Sequence, residues 1–521
     1  MKTMDQTVSA WMGSGEIPSE SRLSADIETN VCIVGAGIAG LSTAYLLLQE
    51  GRSVVVLDDG PIGGGQTERT TAHLSNAIDA RYVQIENWHG VEGARLAAES
   101  HSDAIDRIES IVARESIDCG FERLDGYLFN PPGEAPDLLE RELQAARRAG
   151  LTTVEIVPRS PLGAFDTGPS LRFPRQGQLH PLKYLAGLVN AIRNQGGRIF
   201  TQTHVDKIQH GPPARIHTLE GATVSAGSVV VATNSPFNDL VTIHTKQAAY
   251  LTYALGFAVP RGVIPKALYW DTQTPYHYVR LMAMPEVDSS GNSLGDPRTE
   301  ELLIVGGEDH KTGQSNDAAA RYPRLEEWTR ARFPEVTAIR CHWSGQVLEA
   351  IDGLAFIGRN PLDGPNVYIA TGDSGQGMTH GTIAGILLTD LIIGRKNPWA
   401  GLYDPERKSL RAAGRFLRES VNVALQYSDW ITAGNVESID GIAPGAGAVV
   451  RTGLTKIAAC RDDQGMVYKF SAICPHLGCV VQWNAGENSW DCPCHGSRFD
   501  KQGRLLCGPA NTDLTPIFDN G

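Results

Sequence analysis

Apolar runs and polar breaks divide the chain into segments of different character. VCIV (Val31–Val34) is an apolar run, and GAGIAG (Gly35–Gly40) interrupts it. LSTAYLLLQEG then carries apolar positions on a helical period as far as Gly51, a residue suited to a helix C-cap. SVVVL (Ser53–Leu57) is a second buried run. The pattern over Asn30–Leu57 therefore predicts strand, glycine turn, helix, strand. Val31–Leu48 is uncharged across 18 positions, close to a membrane span in length. Gly35, Gly37 and Gly40, with Ser42 and Thr43, fit the strand–turn–helix reading better.

Further along, Tyr82–Arg114 and Arg141–Gly150 read as helices, and Pro181–Gln195 as another. RIFTQTHVDKI reads as a strand and SVVVATN as a buried strand. LYWDTQTPYHYVRLMAM and ELLIVGGE suggest antiparallel strands, and Val367–Ala370 leads through TGDSGQGMTHG into a helix ending near Ile393. From Asp404 to Trp430 the chain is charged with apolar positions near a 3.6 period; after Gly434, short alternating strands are separated by Gly, Pro and Asp. Four parts are expected: a polar arm (1–27), a large α/β body (28–403), a helical linker (404–433) and a small all-β module (434–521).

Composition narrows the function class. The chain has 521 residues, 41% hydrophobic and 20% charged, which is globular and, at roughly 150 residues per domain, predicts two to four folding units. Net charge is −13 and there is no run of Lys or Arg, so nucleic acid is not an expected partner. MKTMDQTVSAW has neither an apolar h-region nor a twin-Arg pair, so no secretory signal or membrane span is expected and a cytoplasmic protein is. Of nine cysteines, Cys32, Cys119, Cys341 and Cys460 are scattered. The other five cluster within Cys474–Cys507, which in such a chain favours a metal site over a disulfide scaffold.

Gly35-x-Gly37-x-x-Gly40 follows a strand and opens a helix. The glycines allow a tight turn, close approach of a pyrophosphate and close helix–strand packing; the helix N-terminus supplies N–H groups and a positive dipole. Asp58, beside Asp59, ends the next strand where an acid can accept from ribose hydroxyls. A second fingerprint for NAD is missing, so the site favours FAD. Three segments agree with this. GGGQTERTTAH offers Arg69, Thr70 and Thr71 to a pyrophosphate; ATN, with Thr233, returns the chain to the adenine side; and DSGQGMTHG (Asp373–Gly381) forms a late turn before a helix, facing the flavin ring.

Gly35–Gly40, Asp58, Val205 in THVDKI, DGLAFIG (Asp352–Gly358) and the Gly375/Gly377 turn together resemble the D-amino-acid oxidase family of FAD-dependent oxidoreductases, in its glycine and sarcosine oxidase branch, over roughly residues 28–400. The resemblance implies a Rossmann-like FAD-binding domain with an antiparallel-sheet substrate domain, and oxidation of C–N bonds of amines or amino acids. It places Val205 at the adenine, Asp352 in a cofactor-binding stretch, and Gly375, Gly377, Met378 and Thr379 along the flavin ring.

Cys474-Pro-His476-Leu-Gly-Cys479 and Cys492-Pro-Cys494-His495-Gly-Ser497 form two compact turns. Two Cys and two His could hold tetrahedral zinc, but zinc leaves two matched cysteines unexplained. The sequence resembles the Rieske [2Fe–2S] domain of cytochrome bc complexes. That resemblance implies Cys474, His476, Cys492 and His495 as iron ligands and a Cys479–Cys494 disulfide. It implies Gly508-Pro509-Ala510 as a covering loop and Ser497 as a hydroxyl bonding a sulfide. Phe499 stands where high-potential relatives carry Tyr, so a lower potential is expected. Cys507 lies off the motif and reads as structural.

A substrate site is sought on PYHYVRLMAM, whose alternation puts Tyr276, Tyr278 and Arg280 on one face. Arg280 with the two tyrosines could bind a substrate carboxylate, or could be a solvated Arg on an amphipathic strand. His73 could carry covalent flavin or be a loop histidine, and His380 is a second histidine expected near the isoalloxazine. The chain as a whole resembles bacterial proteins that fuse an amine-oxidase-like FAD domain to a Rieske domain. The expected function is FAD-dependent oxidation of an amine or amino acid, with electrons passing through the cluster to an external one-electron acceptor. A flavin oxidase using O₂ directly, a non-catalytic redox-responsive protein, and electron flow from a reductase through the cluster to the flavin are the alternatives.

Overall fold

The computed structural model describes all residues except 1–6, 14–16, 132–136, 164, 239–242, 286, 288–293, 316, 362, 409, 427–429, 431–433, 454 and 519–521. Val31–Val34 pairs in parallel with Val54–Leu57 on one side and with Thr223–Val231 on the other. Thr223–Val231 pairs in parallel with Val367–Thr371, and Val54–Leu57 with Arg198–Phe200. Val31–Val34, Val54–Leu57, Val229–Val231 and Val367–Thr371 are buried throughout, as central parallel strands require. They form the core of an eight-stranded sheet, edged by the antiparallel strand Phe356–Arg359.

Helix Ile38–Gln49 packs against helix Gly377–Ile393. The approach is close because Gly381 and Gly385 face it: a Cβ on Gly381 would meet Ile38 Cγ2 at 2.7 Å, and one on Gly385 would meet Ser42 Cβ at 2.8 Å. Gly394 ends the second helix at φ 78°, the left-handed C-cap position glycine favours.

A nine-stranded, mostly antiparallel sheet forms the second layer, running from Ile339–Ala350 through Gln247–Pro260, Glu300–Lys311 and His277–Ala283 to Ser170–Gln178. Its outer face is sealed by helix Arg321–Arg332, with Leu325 and Trp328 set against Tyr253, Phe257 and Val305. The C-terminal region is all β: a three-stranded sheet (Gly447–Thr452, Thr455–Arg461, Val467–Ser471) and a four-stranded one around Trp490 and Phe499.

Local differences from the sequence pattern have physical causes. The expected strand RIFTQTHVDKI breaks into Arg198–Phe200 and Val205–Gln209, because the chain leaves the parallel edge and turns back to pair with Ala214–Thr218. LYWDTQTPYHYVRLMAM is a hairpin, Leu268–Asp271 with His277–Ala283, and Tyr276 sits just before its second strand. The long helix Tyr82–Arg114 breaks at Gly90, whose φ is 75°. Part of the polar arm packs against the body: Trp11 is fully buried and its Nε1 donates to Thr70 O at 2.6 Å. The charged segment after Asp404 includes helix Ala413–Gln426. No helix among the described residues is long and apolar enough to cross a membrane.

Candidate functional site

The C-terminal ends of the parallel strands open onto one cavity of 910 Å³, lined by Val34, Ala232, Ala370 and Thr371. Ligands of open parallel sheets bind at this end. Gly35 sits at φ 109°, and a Cβ there would press into Ala232 O at 2.5 Å. A Cβ on Gly40 would collide with Gly35 O, so the turn and the helix fit together only as glycines. Helices Ile38–Gln49 and Gly377–Ile393 both aim their N-termini at the cavity, bringing positive dipole ends toward any bound anion. Thr67 Oγ1 accepts from Ile38 N at 3.2 Å, a contact the sequence pattern did not reveal because Thr67 comes from a separate loop.

Asp58 accepts from Ala36 N at 2.6 Å and Gly60 N at 2.8 Å; burial outweighs these donors and pushes its carboxyl up to about 6. Asp59, Arg69, Thr70, Thr71, Val205, Thr233, Gly375, Gly377 and Met378 all line the same cavity. Asn234 Nδ2 and Ser235 Oγ are buried at its wall without hydrogen-bond partners. Volume, glycine cradle, paired dipoles and unmatched polar atoms fit a dinucleotide such as FAD.

Three expected site residues are placed elsewhere. Asp352 is 1% exposed and ion-paired to Arg407, whose Nη2 lies 2.7 Å from Oδ1; a carboxylate buried that deeply is held by its counter-charge and does not line the cavity. Thr379 turns inward and bonds His101 Nδ1 at 2.9 Å. Arg280 is 2% exposed, and its Nη1 donates to Thr71 O and Ala72 O at 2.8 Å and to Leu179 O at 3.3 Å. Its guanidinium is engaged by main-chain carbonyls that shape the Thr70–Ala72 loop, so it is not the carboxylate clamp that strand alternation suggested.

Tyr276 and Tyr278 do reach the cavity, beside Trp270 and His73. Tyr276 OH donates to Asp79 Oδ2 at 3.1 Å, and Gln376 Nε2 donates to Asp79 Oδ1 at 2.9 Å. Tyr278 OH lies 2.9 Å from Thr252 Oγ1. Asp373 lines the same end, its carboxyl pushed up to about 7, first by burial and then by Glu349 and Asp79. Burial likewise raises Asp79. His73 and His380 also line the cavity; burial lowers both, His380 to about 4, and its Nδ1 bonds Asp373 O at 2.8 Å. Asp79 and Gln376 went unseen because their partners lie about 200 or more positions away in sequence.

In the C-terminal region each cysteine loop closes on itself: Cys474 N donates to Cys479 O at 2.8 Å, and Cys492 N to Ser497 O at 2.8 Å. The Cys479–Cys494 disulfide ties them, with Cα atoms 6.4 Å apart. Cys474 and Cys492 are buried thiols, and the rings of His476 and His495 lie 5.0 Å apart. His495 Nδ1 is buried without a hydrogen-bond partner, a nitrogen left for a metal. With two cysteines committed to a disulfide, two thiols and two imidazoles remain, the donor set of a Rieske cluster. Ser497 Oγ accepts from Ala510 N at 3.0 Å and pins the loop at Gly508–Ala510 over the site. Phe499 is fully buried across from Trp490 and offers no hydroxyl.

The two sites share a wall. Cys507, Gly508 and Asn511 line the large cavity, so Cys507 belongs to the contact between the regions. Gln346, also a lining residue, donates from Nε2 to Gly496 O at 2.6 Å and accepts at Oε1 from Cys507 Sγ at 2.8 Å.

The family model for FAD dependent oxidoreductases matches residues 30–391, and that for the Rieske [2Fe-2S] domain matches residues 429–518. YhfW of Bacillus subtilis, described as a Rieske 2Fe-2S iron-sulfur protein, is 30% identical over 97% of both chains. Gamma-glutamylputrescine oxidoreductase of Escherichia coli is 29% identical over 71% of this chain and 85% of its own. Among solved structures, glycine oxidase from Geobacillus kaustophilus shares the fold of the larger part, with a TM-score of 0.56, 18% identity, and coverage of 73% of this chain and 99% of its own.

Proposed function

Because the chain belongs to the FAD dependent oxidoreductase family and ends in a Rieske [2Fe-2S] domain, we propose that it oxidises a C–N bond of an amine carrying positive charge. Its cofactors are FAD and a Rieske [2Fe–2S] cluster, and the enzyme class is that of amine and amino-acid oxidoreductases. The chemistry supplied by the cofactors is hydride acceptance at FAD and single-electron transfer through the cluster to an external one-electron acceptor. Residues 404–433 connect the two domains, and the reading places the protein in the cytoplasm.

The observation that carries the substrate reading is the charge of the inner cavity. Asp79 and Asp373 stand there, with Tyr276, Tyr278 and Trp270 as ring faces. The nearby guanidinium of Arg280 is spent on backbone carbonyls. Carboxylates and aromatic faces attract an ammonium group and repel a carboxylate. Asp79, held by Tyr276 and Gln376 and raised by burial, ionises against the incoming cation, whose charge favours the carboxylate, and so orients it. Asp373, with its carboxyl near neutrality, can take the proton that an ammonium must lose before its C–N bond is oxidised. The similarity to gamma-glutamylputrescine oxidoreductase supports the same direction.

The test is anaerobic flavin bleaching against a panel of mono- and diamines and of amino acids. Amines without a carboxylate beside the reacting nitrogen should bleach the flavin. Asp79→Asn should raise their KM by about 10- to 100-fold, the worth of a hydrogen bond to a charged group. Bleaching by α-amino acids alone would overturn the reading.

A further inference from the structure

The face of the Rieske domain that carries its two histidines is closed by the FAD domain of the same chain. His244 is 3% exposed, and its ring centroid lies 4.9 Å from that of His476 and 5.9 Å from that of His495. On its other side His244 Nε2 donates to Pro236 O at 3.0 Å. Pro236 directly follows Ala232–Ser235, which line the flavin cavity. One side chain thus touches both cluster histidines and the loop that walls the other cofactor.

The contact around it is tight. A Cβ on Gly496, next to His495, would collide with Ala249 Cβ. Gln314 Nε2 donates to Pro493 O at 2.8 Å, and Gln346 Nε2 to Gly496 O at 2.6 Å. A Cβ on Gly313 would press on Asp491 O and Pro493 N, each at 2.8 Å. The FAD domain therefore grips the Cys492–Ser497 loop along its length, with His244 beneath the histidines.

We propose that the histidine edge is where electrons enter the cluster, from the FAD domain of the same chain, and that His244 is the residue positioning that edge. The proposal rests on the reading of a flavin that passes electrons to the cluster. Oxidation of one C–N bond yields two electrons, so two single-electron passages cross this contact per turnover. The external one-electron acceptor takes each electron in turn. His244 is a positioning residue: it touches the cluster's histidines and the cavity-wall loop, not the substrate.

The test uses the holoprotein with both cofactors, without substrate or O₂. Flavin is reduced by light in the presence of a sacrificial donor, and cluster reduction is followed by absorbance and by EPR of frozen samples. In the wild type the cluster should reduce at a rate independent of protein concentration. His244→Ala should slow that step by about tenfold or more, the scale on which ångström misplacements of reacting partners act. His244→Phe, which keeps a ring in place, should recover much of the rate. Ala249→Glu, a wedge on the FAD side, should slow it too and raise hydrogen exchange in residues 493–496. The EPR line shape and midpoint potential of each variant should show an intact cluster.

Equal rates in wild type, His244→Ala and Ala249→Glu with intact clusters would overturn the proposal. So would a rate that rises with protein concentration, which means transfer between molecules. A wild-type cluster that stays oxidised beside fully reduced flavin would instead sink the underlying reading of flavin-to-cluster flow.

Discussion

Gln346 and Gly496 belong to different domains and are joined by a 2.6 Å hydrogen bond from Nε2 to the carbonyl oxygen. Gln346 lies on the long strand Ile339–Ala350 and lines the large cavity, while Gly496 follows His495, one of the residues proposed to hold the cluster. Gln346→Leu removes the donor and leaves a buried carbonyl unsatisfied, at a cost of about 1–3 kcal/mol. Thermal unfolding should show a lower midpoint, and hydrogen exchange should rise in the 492–497 loop while flavin stays bound. Unchanged exchange there would show that the bond does not hold the domains together.

Asp373 gives the enzyme a pH signature. Burial, Glu349 and Asp79 push its carboxyl up to about 7, against backbone donation from Leu348. Taking the ammonium proton needs the ionised form, so kcat/KM for such a substrate should rise as pH rises through about 7. Asp373→Asn should remove that inflection. Stability runs the opposite way: a raised carboxyl favours the folded state fully below the ordinary range near about 4, and that contribution is lost as pH rises through the folded value. The wild-type apoprotein should therefore lose more stability than Asp373→Asn between those limits in pH-dependent denaturation.

The Cys479–Cys494 disulfide holds the two cluster loops together across 15 residues of sequence. Cys479→Ser should destabilise the domain by about 3 kcal/mol, the worth of closing a loop of that length. Iron content and the Rieske EPR signal should fall together, with the flavin spectrum unchanged. A fully loaded, equally stable variant would show that the loops need no covalent tie.

Asp352 and Arg407 form a buried ion pair away from the cofactor cavity. Asp352→Asn should cost about 3–5 kcal/mol, because it strands the buried guanidinium. Flavin affinity should change little beyond what the lost stability explains. A specific loss of FAD binding in an otherwise stable variant would return Asp352 to the cofactor site.

By itself the sequence determined the chemistry that local spacing encodes. The turn Gly35–Gly40 needs residues adjacent in the chain, and the residues proposed as cluster ligands, Cys474, His476, Cys492 and His495, come in two short loops whose spacing is their geometry. Asp58 was legible for the same reason, since it ends the strand paired beside Val31–Val34. Arg280 shows where such reading stops. Strand alternation assigned it to the face with Tyr276 and Tyr278, but what a guanidinium binds depends on the carbonyls around it, and Thr71, Ala72 and Leu179 arrive from distant segments. Tertiary structure alone decided that Asp79 meets Tyr276 and Gln376, that Asp352 pairs with Arg407, and that His244 lies under His476 and His495. Those partners are separated by tens to hundreds of residues, and no periodicity records a contact made only when two sheets and a second domain close on one another.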